Sequence, residues 1–316
     1  MFLARCIGVS LAVFVILYLS MSLLVARTWR YGLRWLNAMS ARSCETFLFA
    51  IRTLPLLASA LITLAFTVPS FLMLEPRTTD EEVGIAPVVL GLFFLGMMAW
   101  GVSRAVATQM RTARTVSEWL RGATAVQEQA NVPVFRTCHR APALTVAGLG
   151  SPRVLVSETA YSVLTPHELT TALRHEFAHV RSRDNWKKLV FRILEFPGMS
   201  SLESAWSEKA EMAADDAAVS SFDDALDLAS ALIKLSRLAP VQNTVEFTSA
   251  LLHSSPDSLS ARVRRLFQWN QPERNVPRRS GWIALLPIAA VLVTTIALHY
   301  SFVLVQMHEL TEWLVQ

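Results

Sequence analysis

Four stretches of this chain, 7–25, 53–74, 83–103 and 280–305, run without an Asp, Glu, Lys or Arg. A helix needs about 20 apolar residues to cross the hydrocarbon core of a bilayer. With no water there, each backbone polar group must be satisfied within the segment, which a helix does. One such run can be a buried helix of a globular core. Four in one chain predict four membrane-spanning helices. Pro55, Pro69, Pro87 and Pro287 lie in or beside these runs, and membrane helices tolerate proline better than soluble ones. The first run is too long for the apolar part of a secretory signal, and its exit lacks the paired small residues of a cleavage site, so it is expected to stay as an anchor.

The composition agrees. The chain is 53% apolar and only 17% charged, with a mean hydropathy of +0.38, against about 25% charged residues in a typical soluble domain. Intrinsic disorder is excluded. A net charge of +4 is too small to indicate a nucleic-acid partner. Cys6, Cys44 and Cys138 are far apart, which gives neither a disulfide framework nor a thiolate zinc site.

Orientation follows from the basic residues of short loops. Loop 26–52 carries Arg27, Arg30, Arg34, Arg42 and Arg52, whereas loop 75–82 carries Arg77 among Glu75, Asp80, Glu81 and Glu82. The first loop is therefore expected inside and the second outside. Both termini then lie outside, and residues 104–279 face the cytoplasm, flanked by Arg104 and by Arg274, Arg278 and Arg279. The expected arrangement is residues 1–103 with three spans, a domain over 104–279, a fourth helix over 280–306 and a short outer tail over 307–316. The expected location is a bacterial-type inner membrane.

Within 104–279, residues 111–129 read as a helix leaving the membrane. Three short Val- and Leu-rich runs, 133–136, 144–148 and 153–157, read as strands punctuated by Gly148, Gly150 and Pro152. A helix start follows: Thr165 as N-cap, Pro166 at the first position and Glu168 completing a capping box. Leu169, Ala172, Leu173, Phe177 and Val180 give that helix an apolar face running to about Asp184. Further helices are expected over 201–220, 223–238 and 258–268, and 271–279 reads as a linker. The fold class is an α-helical polytopic membrane protein, three spans plus one, carrying a mainly helical α+β domain.

His175-Glu176-Phe177-Ala178-His179 is an HExxH motif inside the capped helix. Residues four apart share a face, so His175 and His179 can direct two imidazoles at one metal, with Glu176 beside them. A catalytic zinc takes three protein ligands and keeps an open position for water, and the glutamate is placed to accept the water proton. The helix after 200 supplies the third ligand from Glu203, Glu208, Glu211, Asp215 and Asp216. Glu211 and Asp215 share a face, so one can bind metal while the other orients a ligand histidine. Spacing alone leaves Glu208 as a rival.

Leu164-Thr-Pro-His-Glu-Leu169, Leu173-Arg-His-Glu-Phe-Ala-His-Val-Arg-Ser-Arg-Asp-Asn185 and Glu211-Met-Ala-Ala-Asp-Asp216 together resemble the BlaR/MecR family of membrane zinc metallopeptidases. The resemblance covers 130–268 in pattern and 1–306 in layout. It implies endopeptidase activity of gluzincin type, with zinc on His175, His179 and Glu211, Glu176 as catalytic base, Asp215 orienting a ligand and Asp184 in a structural role. Two departures stand out. Ala214 occupies a position often held by cysteine, and no Ser-x-x-Lys nucleophile follows the fourth span, so sensing through an acylated serine is not expected. The HtpX type shares the motif but places two helices before the domain and two after it.

The expected function is cleavage of a cytoplasmic protein, repressor-like or the chain itself, in signalling across the membrane. The stimulus is expected to come from an extracytoplasmic partner protein or from stress in the lipid bilayer, and a homo-oligomer is compatible with the small residues of the spans. The alternatives are a membrane quality-control protease of HtpX type and a non-hydrolytic zinc-binding scaffold. Residues 185–196 read as a core or membrane-surface helix. His139, His167 and His253 have no ligand spacing, His299 near the outer end of the last span reads as interface packing rather than a pH-sensitive group, and Cys138-His139 lacks the neighbours of a thiol nucleophile. No spacing rule selects an oxyanion stabiliser, although Tyr161 and His167 are near in sequence.

Overall fold

The computed structural model describes residues 2–32, 39–75, 84–129, 132–137, 141–238, 248–250, 256–269, 294–295 and 297–315. In chain order the elements are α1 (Phe2–Thr28), α2 (Ala41–Ile62), a wider π turn (Thr63–Thr67), α3 (Val68–Leu74), α4 (Ile85–Trp119), β1 (Thr124–Gln129), β2 (Val132–Thr137), β3 (Leu144–Ala147) and β4 (Arg153–Ser157). Then come α5 (Glu158–Val163), α6 (Pro166–Ser182), α7 (Asp184–Ile193), α8 (Ser200–Ala218), α9 (Phe222–Leu238), β5 (Thr248–Ala250), α10 (Pro256–Phe267) and α11 (Tyr300–Val315). The chain forms two compact units.

The first unit comprises Met1–Thr28, Thr53–Ala99 and Pro272–Gln316. Three helical stretches, Phe2–Gly32, Ala41–Leu74 and Ile85–Trp119, are long and apolar enough to cross a membrane. Each outruns the charge-free stretch that predicted it. Most of the fourth expected span falls outside the described residues, as do the linker 271–279 and Asp80, Glu81 and Glu82. The segment expected as an outer tail is helical to Val315, as the end of α11. Phe14 meets Phe94 edge-on with centroids 4.8 Å apart. Arg5 pairs with Glu75 at 2.9 Å, so the N-terminal end of α1 lies beside the C-terminal end of α3.

The π turn has a specific cause. Pro69 has no N–H and cannot serve the Ala65 carbonyl four residues earlier. The Val68 N–H instead reaches back to the Thr63 carbonyl, and the Tyr300 hydroxyl donates to the Ala65 carbonyl at 2.7 Å. A side chain of α11 thus replaces the hydrogen bond that proline removes, as membrane helices commonly require. Tyr300→Phe leaves that carbonyl unserved and is expected to cost about 1–3 kcal/mol. The check is a lower apparent melting temperature of the solubilised full chain with unchanged metal affinity.

The second unit comprises Trp29–Arg52 and Trp100–Gln271. Against the 104–279 segment expected from sequence, it ends at Gln271 and takes in 29–52 as well, including the first turns of α2. Leu48 and Arg52 are buried there. Arg52 donates to Glu203 at 2.9 Å and to the Leu194 carbonyl, and Phe49 packs on Phe191 with centroids 5.6 Å apart. A Cβ on Gly101 of α4 would meet the Ile193 carbonyl oxygen at 2.3 Å, so only glycine permits this approach to the end of α7.

Sequence alone extends a helix over 111–129, but α4 stops at Trp119. Gly122 adopts φ +78°, a left-handed turn open to glycine, and the chain returns as β1. The sheet has the order β1-β2-β4-β3-β5. The β2–β4 pair is parallel and the other neighbours are antiparallel, with a bulge in β1 between Ala125 and Gln127. One sheet face, with Leu144, Val146, Val154 and Val156, packs on Ala172 and Phe177 of α6 and on Leu228, Leu232 and Leu235 of α9. That layer fixes α6 against the sheet and leaves its histidine face to α8. Cys138, His139 and His253 lie outside the described residues.

Candidate metal centre

The centre is built on α6, whose start follows the sequence rules. Thr165 Oγ1 accepts from the Glu168 N–H at 3.3 Å, and Glu168 Oε2 accepts from the Thr165 N–H at 2.8 Å. Glu168 is also held by Ser230 at 2.6 Å and Lys234 at 2.8 Å, which ties the cap to α9. At the other end, Arg183 takes the left-handed conformation (φ 55°, ψ 39°). The chain reverses there in one residue, and α7 begins with Asp184.

Three donors converge between α6 and α8. His175 Nε2 and His179 Nε2 are 3.1 Å apart. Glu211 Oε2 lies 3.5 Å from His175 Nε2, and Glu211 Oε1 lies 3.6 Å from His179 Nε2. The edge of a tetrahedron around zinc with bonds of about 2.0–2.1 Å is about 3.3 Å, which these separations bracket. All three side chains are buried, and this trio can hold a metal ion. Glu208, the rival by spacing, is exposed and lies outside the trio.

Each imidazole has a carboxylate behind it. Asp215 Oδ1 lies 3.0 Å from His175 Nδ1, and Asp184 Oδ2 lies 2.7 Å from His179 Nδ1. Such partners fix the tautomer so that Nε2 presents its lone pair to a cation. Asp184, given a structural role from sequence, orients a histidine directly. Burial opposes a charge on Asp184, but the bond to His179 and the Lys187 ammonium hold it below the usual carboxylate range.

Glu176 follows His175 on α6 and stands in the field of His175, His179 and Glu211. It is fully buried, and neither carboxylate oxygen has a hydrogen-bond partner among the described residues. Burial pushes its pKa up to about 7, against the pull of His179 and His175. A buried carboxylate without a donor is costly, unless a cation and water complete its surroundings. This is the observation that makes the residues fit a divalent metal.

Arg262 of α10 is a residue that motif reasoning missed. It is fully buried, donating to Asp215 through Nε at 2.8 Å and Nη2 at 2.6 Å, and lying 2.9 Å from Glu211 Oε2 through Nη1. Burial raises the pKa of both carboxylates, but the guanidinium together with the neighbouring imidazoles, His175 for both and His179 for Glu211, outweighs it, bringing Glu211 to about 2 and Asp215 well below its usual range. Lys188 also stands in the field of Glu211, Asp184 and Glu176, and burial pushes its ammonium below the usual lysine range. Of the residues near in sequence, Tyr161 packs under Arg136, 4.4 Å from its ring centroid, and neither it nor His167 belongs to the trio.

Burial also disfavours a proton on His175, yet Asp215 and Glu211 hold its pKa at about 9 in the metal-free centre. Metal uptake must displace that proton. Apparent affinity for a divalent cation is therefore expected to rise by about tenfold per pH unit from pH 7 to 9 and to level off above 9, read by chelator competition across that range. No protein-family model matches this sequence, and no curated protein matches it.

Proposed function

We propose that the chain is a membrane-bound zinc endopeptidase of gluzincin type, similar to the BlaR/MecR family, that cuts a cytoplasmic protein in signalling across the membrane. The observation that carries this reading is the buried convergence of His175 Nε2, His179 Nε2 and Glu211 beside the unpartnered carboxylate of Glu176. A metal-binding scaffold needs the trio but has no use for that carboxylate.

His175, His179 and Glu211 would hold the zinc. When bound with one position open, zinc lowers the pKa of water to about 7 and polarises a carbonyl. The chain's own residues supply the rest. Asp184 against His179 Nδ1 and Asp215 at 3.0 Å from His175 Nδ1 would keep both Nε2 lone pairs inward. Arg262 holds Glu211 and Asp215 in place. Glu176 would take the proton from the attacking water at its carboxylate and return it to the leaving amine. The positive residues of loop 26–52 and after Arg104 support a cytoplasmic location for the centre. The Arg5–Glu75 pair fits an N-terminus on the side opposite that loop.

The test is cleavage by the purified full-length chain in lipid nanodiscs. One zinc per chain and chelator-sensitive cutting of an unfolded test protein are expected. Stoichiometric zinc without cutting of any substrate would leave the scaffold reading. Comparing the proteomes of cells with and without the gene separates the two peptidase roles: one missing cut indicates signalling, and many indicate quality control.

A further inference from the structure

Charged side chains of alternating sign lead away from the metal centre to α2. Behind His179 stands Asp184, whose Oδ1 accepts from the Lys187 ammonium at 3.1 Å. Lys187 also donates to Glu45 Oε1. Glu45 sits in the first turns of α2, and its side chain is fully buried. Its other oxygen accepts from Arg42 at 2.8 Å. Lys187 is fixed as well by two rings, 6.0 Å from the Phe49 centroid and 5.9 Å from that of Trp206. Residues 41–52 belong to the second unit, while the same helix continues as the second candidate span.

The sign of the interaction decides what Glu45 does. Asp184 has two claimants, the His179 imidazole and the Lys187 ammonium. A carboxylate that must neutralise a half-buried ammonium alone is drawn toward it and orients the imidazole less well. With Glu45 on the far side of Lys187, the ammonium is shared between two carboxylates and Asp184 stays on His179. We propose that Glu45 is a positioning residue for the metal ligand His179, acting through Lys187 and Asp184, so that seating of α2 in this unit sets metal affinity. This rests on the metal-centre reading above. It goes further by naming the helix through which a displacement reaches the zinc ligands. Withdrawing Glu45 leaves Lys187 to compete with His179 for Asp184, which loosens the centre.

The experiment measures zinc affinity of the full-length chain by chelator competition, with the absorption spectrum of the cobalt-loaded protein as a second readout of ligand geometry. E45Q is expected to weaken zinc binding by about 10-fold or more, within the 10–100-fold range of ligand-orienting partners, and to alter the cobalt bands. E45D, charged but shorter, falls between E45Q and the parent, and keeps the test readable if E45Q accumulates poorly. E45Q/K187M, which removes the uncompensated ammonium as well, restores affinity to within a few-fold. E203Q breaks the Arg52–Glu203 ion pair farther along α2 and is expected to lose far less affinity than E45Q. Parental affinity in E45Q or E45D, no recovery in E45Q/K187M, or an equal loss in E203Q overturns the proposal while the metal centre stands. A parent chain that takes up no zinc overturns both.

Discussion

Replacing Glu176 by glutamine is expected to lower peptide cleavage by about 10²–10⁴-fold while the chain still binds one zinc. Glutamine has the same shape but cannot accept the proton from water. Metal affinity should hold because Glu176 is outside the trio of converging donors. The same variant makes a second, opposite prediction for the metal-free protein. With a pKa raised to about 7 by burial, Glu176 favours folding most when protonated, and that contribution is lost as pH rises from its unfolded value through 7. Glutamine is neutral throughout. Metal-free E176Q should therefore melt no lower than the parent at pH 5 and higher at pH 8. A variant that keeps cleavage would remove Glu176 from the chemistry.

Arg262→Met is expected to destabilise the second unit by about 3–5 kcal/mol, the usual cost of leaving a buried charge without its partner. For a domain of 150–250 residues this is a fall of roughly 6–20 °C in apparent melting temperature. Arg262 serves Asp215 with two parallel bonds and Glu211 with a third contact. Methionine fills much of the volume but leaves two buried carboxylates facing each other. Added zinc replaces part of the missing positive charge, so the deficit should narrow on metal loading. Arg262→Lys keeps the charge without the planar fork and should lose less. A loss below about 1 kcal/mol in metal-free Arg262→Met would show that water or another cation compensates the pair.

The start of α6 and its two histidines were legible because every cue was local: an N-cap, a proline, a glutamate three residues on, and a four-residue spacing. Glu211 and Asp215 could be narrowed by helical period but not chosen over Glu208, since spacing does not say which face turns inward. Arg262 was hidden among Arg264 and Arg265, and its partner is 47 residues away. One cue existed: it follows Leu259 by three and precedes Leu266 by four, so it falls on the apolar face of α10. Arg52 reads as a loop charge setting topology and Glu45 carries no sequence signal of its own, yet both lie inside a helix beside Cys44 and Leu48, where their burial depends on distant partners. The strand β1 was absorbed into a helix because Gly122 was given no weight against the helical pattern before it.

The left-handed Arg183 has a consequence for how the centre comes together. Holding a non-glycine residue there costs about 1–2 kcal/mol, and it brings Asp184 back onto a histidine only five residues upstream. Residues 175–184 thus form a contiguous cassette holding two of the three converging donors, the buried Glu176 and one orienting group, all placed by local chain geometry. Glu211, Asp215 and Arg262 arrive from helices far along the sequence. A cation seated between them staples the cassette to the rest of the fold, and a single inserted residue between His179 and Asp184 would unset it without touching any ligand.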